Sequence, residues 1–300
     1  MHQYLNAIGF GSMKSKKELY EILDKVEQQY TCHELVYQDE ELDFCEYQKE
    51  FGPGMGICLC GDMDSVDNFT KRYYYPYFLG TGITSYADIT IERRMDREAY
   101  VGICEDAKIG ITIIFYLQNV MDYLDYICDE KGLNQKDYDI DSRSYVYKIP
   151  IKNKMVSLTA LSLGGIIMLP TRNNKSDSVR MKKEKDDRQR LIQAAKKGDE
   201  SAIESLTIED IDTYNELSHR IVKEDVFSIV DSSFMPCGVE CDQYQVVGEI
   251  LELSEEINHY TKEKIYIMVI ECNDLNMTVA INQAHLLGEP AVGRRFKGQI

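Results

Sequence analysis

The chain has 300 residues, 44% of them apolar and 28% charged, and carries a net charge of −17. That length builds one large domain or two ordinary ones with a sizeable core. So acidic a balance repels polyphosphate unless a local basic face overrides it, which makes nucleic acid an unfavoured partner. Tryptophan is absent against 21 tyrosines, so the aromatic packing is amphipathic, with hydroxyls that need partners.

The start, Met1-His2-Gln3-Tyr4, has no basic segment followed by an apolar run. The longest apolar run, Ile109–Leu117, falls short of the ~20 residues of a membrane helix. The expectation is a soluble, cytoplasmic protein. Nine cysteines, an odd number, read as reduced thiols packed mostly as small hydrophobes.

The first element is a helix. Ser15 with Glu18 makes a capping box, and Leu19, Ile22, Leu23 and Val26 form one apolar stripe. Strand patterns follow at Leu42–Tyr47, Gly56–Cys60, Tyr73–Leu79, Ala87–Glu92, Ala99–Cys104 and Ile109–Leu117. A second helix is expected from Asn119 to Lys131, stopped by Gly132. Tyr145–Ile151, Met155–Leu163 and Ile166–Pro170 extend the β content, with Gly164-Gly165 expected as a two-residue hairpin turn. Together, residues 1–171 predict an α+β sandwich, an antiparallel sheet with helices on one face.

Composition then changes. Residues 172–197 hold ten Lys/Arg against four Asp/Glu. We read 172–187 as a basic flexible linker and 188–224 as a helical hairpin acting as a spacer or clamp, with Thr207 and Asp210 capping its last helix. Residues 225–300 carry the most regular β pattern, in Tyr244–Leu253, Lys264–Cys272, Met277–Asn282 and Gly293–Ile300. Such strands suggest a small barrel like the oligonucleotide/oligosaccharide-binding (OB) fold. That barrel wants five strands and the region supplies four. Either Val226–Asp231 adds the fifth or the barrel is truncated at Ile300, and the mid-strand look of Gly298-Gln299-Ile300 favours truncation.

Few motifs carry chemistry. Gly52-Pro53-Gly54-Met55-Gly56 lacks the Lys-Ser/Thr of a phosphate loop and precedes a strand, so it reads as a turn. Cys58 and Cys60 have one residue between them in an apolar strand, where both sulfurs share a face. Cys237-Gly238-Val239-Glu240-Cys241 has acceptable spacing but no second ligand pair. Tetrahedral zinc needs four donors, so neither pair assigns a metal, and no cofactor is implied. The five histidines are scattered, and no motif has catalytic geometry, which leans away from an enzyme. Tyr73-Tyr74-Tyr75-Pro76-Tyr77, beside Lys71 and Arg72, could stack bases, but strand alternation splits it between core and surface. Glu249 and Glu271 interrupt apolar faces and read as solvated positions. Arg294, Arg295 and Lys297 give the barrel a basic strand and are the candidate ligand-binding residues, against a surrounding excess of glutamates.

Met1–Phe10, Ala194–Glu200, Glu224–Asp231, Gly238–Asp242 and Leu286–Pro290 resemble an uncharacterised family of cytosolic proteins from clostridial Firmicutes, catalogued as a domain of unknown function. The resemblance implies a bacterial cytoplasmic setting and no activity. The reading that follows is a non-enzymatic interaction module acting through protein–protein contacts, with a protein partner or homo-oligomer and no membrane. Its motive is the run Ile265–Ile270, which leaves neither face of its strand polar, so something must cover the outside. The alternatives are single-stranded nucleic acid or a nucleotide on the barrel, and an enzyme with a carboxylate/tyrosine site between domains.

Overall fold

The computed structural model describes residues 3–37, 42–82, 84–94, 99–106, 111–123, 126, 149–170, 190–191, 194, 197–208, 211, 232–237 and 243–300. Among these the protein is mostly β-sheet with few helices, its strands arranged in three open sheets. No described helix is long and apolar enough to cross a membrane. Met1–Met168 and Phe234–Ile300 make one compact unit, and Leu169–Ser233 a second.

A 3₁₀ helix, Gln3–Ile8, precedes helix α1, Lys16–Gln28. The Ser15 hydroxyl accepts from Glu18 N at 3.2 Å, as the capping box predicts, and the four stripe residues of α1 are buried. Strands β1 (Cys32–Tyr37), β2 (Leu42–Gly52), β3 (Met55–Asp64) and β4 (Phe69–Phe78) form the first sheet, antiparallel in that order. The glycine run is a turn between β2 and β3, with Gly54 at φ 65°, where a side chain would be strained. Strand β3 is buried on both faces. Met55, Ile57 and Leu59 join the core under α1, whereas Cys58 and Cys60 join a second core.

That second core is closed by the second sheet, β5 (Ser85–Arg94), β6 (Ala99–Asp106), β7 (Ile111–Tyr116) and β8 (Ile149–Val156), in the order β7-β6-β5-β8. Val120, Met121 and Tyr123, in the described part of the expected second helix, pack there too. Residues 124, 125 and 127–131 of that reading, with Gly132, lie outside the described residues.

The third sheet holds β9 (Thr159–Ser162), β10 (Gly164–Met168), β11 (Ser233–Cys237), β12 (Gln243–Ile257), β13 (Lys264–Cys272), β14 (Leu275–Asn282), β15 (Leu286–Leu287) and β16 (Arg295–Gln299). Its order is β15-β10-β16-β12-β13-β14-β9, with β11 on β12. This corrects the closed barrel expected from 225–300 alone. The sheet is open, and it recruits β9 and β10 from before the linker, while Val226–Asp231 falls outside the described residues.

Gly164-Gly165 is not a hairpin turn. Only Leu163 separates β9 from β10, yet β9 pairs with β14 and β10 with β16. Neither glycine has the positive φ such a turn requires. Gly165 instead leaves room for Phe296, whose Cε2 would lie 2.3 Å from an added Cβ. The Ser162 hydroxyl donates to the Gln299 carbonyl at 2.8 Å, tying the bend to β16.

The two-sided apolar strand β13 is explained by the chain itself. Met268, Ile270 and Cys272 face the core of the third sheet, and Ile265 and Ile267 face the core under α1 with Leu5 and Ile8. Buried Asn258 fastens this junction, donating to the Ile8 carbonyl at 2.8 Å and accepting from Tyr260 N and Thr261 N.

In the second unit, residues 200–208 and 211 are helical, and Asp199 Oδ1 accepts from Ser201 N at 3.0 Å and Ala202 N at 3.3 Å. Thr207 is therefore no cap. It lies inside this helix, and its hydroxyl donates back to the Ile203 carbonyl at 2.8 Å. The basic stretch 172–187 lies outside the described residues.

Candidate functional site, a tyrosine-walled cleft over a buried acid–thiol array

Strand alternation on β2, β3 and β4 sends Glu46 and Gln48, Cys58 and Cys60, and Tyr73 and Tyr75 toward the second core. Register lines them into two cross-strand rows. Glu46 opposes Cys60, which opposes Tyr73; Gln48 opposes Cys58, which opposes Tyr75.

The array is hydrogen-bonded throughout. Cys58 Sγ lies 3.6 Å from Cys60 Sγ, and the Cys60 thiol donates to Glu46 Oε2 at 3.8 Å. The Tyr75 hydroxyl donates to Glu46 Oε2 at 3.3 Å, and Gln48 Nε2 donates to the other carboxyl oxygen. Tyr73 bonds the Cys60 thiol. Burial pushes the Glu46 carboxyl above its ordinary range and raises both thiols, Cys58 well above its own. Burial likewise raises the Tyr73 and Tyr75 phenols. On the opposite face of β2, burial raises the Cys45 thiol to about 12, with His33 Nε2 at 3.1 Å from its sulfur.

Tyr73 and Tyr75 also form one wall of a cleft of about 780 Å³. The other walls are Phe115 and Leu117 of and after β7, Leu158 and Ala160 at β9, Met277 of β14, and Phe234 and Tyr244 of β11 and β12. The cleft's polar groups are positioned by one another. Gln118 accepts from Phe78 N at 2.8 Å and donates to Thr159 Oγ1 at 2.7 Å. The Tyr244 hydroxyl accepts from Ile114 N at 2.7 Å, and Gln243 Nε2 donates to the Tyr4 hydroxyl at 3.1 Å.

The residues singled out from sequence sit elsewhere. Arg295, buried, and Lys297 share one face of β16, and none of Arg294, Arg295 and Lys297 lines the cleft. Arg294 Nη1 donates to the Glu289 carbonyl at 2.6 Å. Register sets Arg295 opposite Glu249, and Glu249 opposite Glu271, so the basic strand faces a carboxylate row. Nor do the tyrosines divide between core and surface. Tyr73, Tyr75 and Tyr77 pack in one core and Tyr74 in the other.

Fold and site define a mainly-β protein with an apolar, tyrosine-walled cleft backed by a buried polar array. The chain belongs to the family described as a domain of unknown function, E. rectale gene description (DUF3881), whose model matches residues 5–300. No curated protein matches the chain, and no solved structure matches it.

Proposed function

We propose that the protein is a non-enzymatic binding module and that its cleft takes a small, largely apolar molecule. The observation that carries this reading is the cleft itself, about 780 Å³ with apolar and aromatic walls and a few preset polar groups. Ligand sites have about this size and composition, ~300–1,000 Å³ with sparse, fixed polar groups. The hydroxyls of Tyr4 and Tyr244, the amides of Gln243 and Gln118, and Thr159 supply orientation. Leu5 and Ile8 cover the back of β13, the apolar face that would have called for a protein partner, so the small-molecule reading is preferred over protein–protein contact. Nucleic acid is disfavoured by the carboxylate row beside Arg295.

Label-free thermal unfolding with a panel of small apolar and aromatic compounds tests this. Compounds that raise the Tm of the wild type and leave Ala160→Phe unmoved support the cleft as the site. A panel that shifts neither protein, or both equally, refutes it.

A further inference from the structure

Glu46, Cys58 and Cys60 are buried, and their donor atoms all lie within 4.8 Å of one another. We propose that these three residues hold one zinc ion, with the Tyr75 hydroxyl oxygen at the fourth corner. Zinc bonds of about 2.3 Å to sulfur and about 2.0 Å to oxygen give a tetrahedron edges near ~3.8 Å (S–S), ~3.5 Å (S–O) and ~3.3 Å (O–O). The corresponding separations are 3.6 Å between Cys58 and Cys60 Sγ, 3.8 Å from Cys60 Sγ to Glu46 Oε2, and 3.3 Å from Glu46 Oε2 to the Tyr75 oxygen. These three of the six donor–donor separations lie close to tetrahedral edges, and the Glu46, Cys58 and Cys60 donors are all within 4.8 Å of one another. Two soft sulfurs with two oxygens suit zinc better than the all-oxygen cations magnesium or calcium.

The charge balance points the same way. Two thiolates and a carboxylate buried together need a compensating cation. Zn²⁺ bound by two thiolates and a carboxylate leaves the site at one net negative charge, and each thiol gives up its proton on binding. The Gln48 amide and the Tyr73 hydroxyl donate toward that charge. Affinity consequently rises with pH. A Cys58–Cys60 disulfide is the poorer use of these thiols. Alternate residues of an extended strand place their Cα atoms about 6.6 Å apart, the top of the disulfide range. With all four corners supplied by the protein, the site is closed and structural. It cross-links β2, β3 and β4 directly behind the Tyr73–Tyr75 wall of the cleft, and it stands whether or not the cleft takes a ligand.

The test uses the full chain, purified under reductant, stripped with a chelator and titrated with Zn²⁺. One ion per chain, an X-ray absorption shell of two sulfurs and two oxygens, tighter binding at higher pH and a raised Tm are expected. Cys58→Ser/Cys60→Ser and Glu46→Gln should each weaken binding at least tenfold, with Cys45→Ala, on the opposite face of β2, retaining it. Failure of the wild type to bind one ion, or a shell of four sulfurs or none, overturns the proposal. So does a Cys58→Ser/Cys60→Ser variant that binds as tightly as the wild type. Should that variant not fold, the wild-type stoichiometry and shell decide alone.

Discussion

Glu263, in the loop between β12 and β13, accepts from Gly11 N at 3.0 Å, Ser12 N at 2.8 Å and Asn282 Nδ2 at 2.5 Å. Partial burial opposes its charge, but the bonds from Ser12, Asn282 and Gly11 prevail and hold its carboxyl below the usual range. A carboxyl depressed in the fold adds stability above its unfolded pKa, and that share is lost as pH falls through the folded value. Glu263→Gln should therefore lower stability at pH 7 by about 1–3 kcal/mol, from the loss of charge-assisted bonds to the N-terminal loop. The gap to the wild type should narrow as pH falls below the ordinary carboxylate range and through the lowered value of the native carboxyl. Urea unfolding at pH 7 and in that acid range checks this; a gap that is constant with pH would sink it. Glu46 is driven the other way. Burial raises its carboxyl, so its charge costs the fold stability as pH rises through the folded value. The same residue type thus anchors a loop by its charge at one position and is penalised for its charge at another.

At the scale of elements, legibility followed how local the signal was. Helix α1 was readable because its cap and its stripe, Ser15 to Val26, lie within a dozen residues. Strands β2, β3 and β4 of the first sheet were readable for the same reason, whereas β1, Cys32–Tyr37, was missed. Glu46 was not. In Leu42–Tyr47 both alternating sets are apolar or aromatic, Phe44 on one side and Cys45 with Tyr47 on the other, so the sequence could not say that Glu46 points inward. What exposes it is the cross-strand pairing with Cys60, a contact between strands that no single-strand pattern contains. Strand β13 stands between these cases. Its two apolar faces were plain, and its cover was not, because that cover comes from residues more than two hundred positions earlier. This pairing is testable through Ile265, which is fully buried among Leu5, Ile8 and the residues of α1. Ile265→Ala should cost about 2–5 kcal/mol, as removal of a large aliphatic side chain from a packed core does. It should also loosen the N-terminal segment, seen as faster amide exchange at Leu5–Phe10. A loss within the range of a surface substitution would contradict the packing described here.

At the scale of the molecule, the governing fact is that one sheet is built from two distant stretches. Strands β9 and β10 precede the basic stretch, and β11 to β16 follow the second unit, yet all eight pair in one sheet. Composition marked the change at 172 and invited a boundary there, since charge runs and a lack of apolar residues are the usual signs of a linker. Those signs report local solvation and say nothing about which strands pair across them. The consequence is energetic. Residues 225–300 alone would leave β14 without β9 and β16 without β10, opening two edges and baring Ile265 and Ala280 where the N-terminal segment packs. Unpaired edges and bared apolar surface favour aggregation over folding. Residues 1–170 and 225–300 expressed separately should therefore each lack a cooperative thermal transition. Co-expressed, they should associate and regain one, with amide protection returning along β9, β10, β14 and β16. Cooperative unfolding of isolated 225–300 at the midpoint of the intact chain would show that the sheet does not need its N-terminal strands.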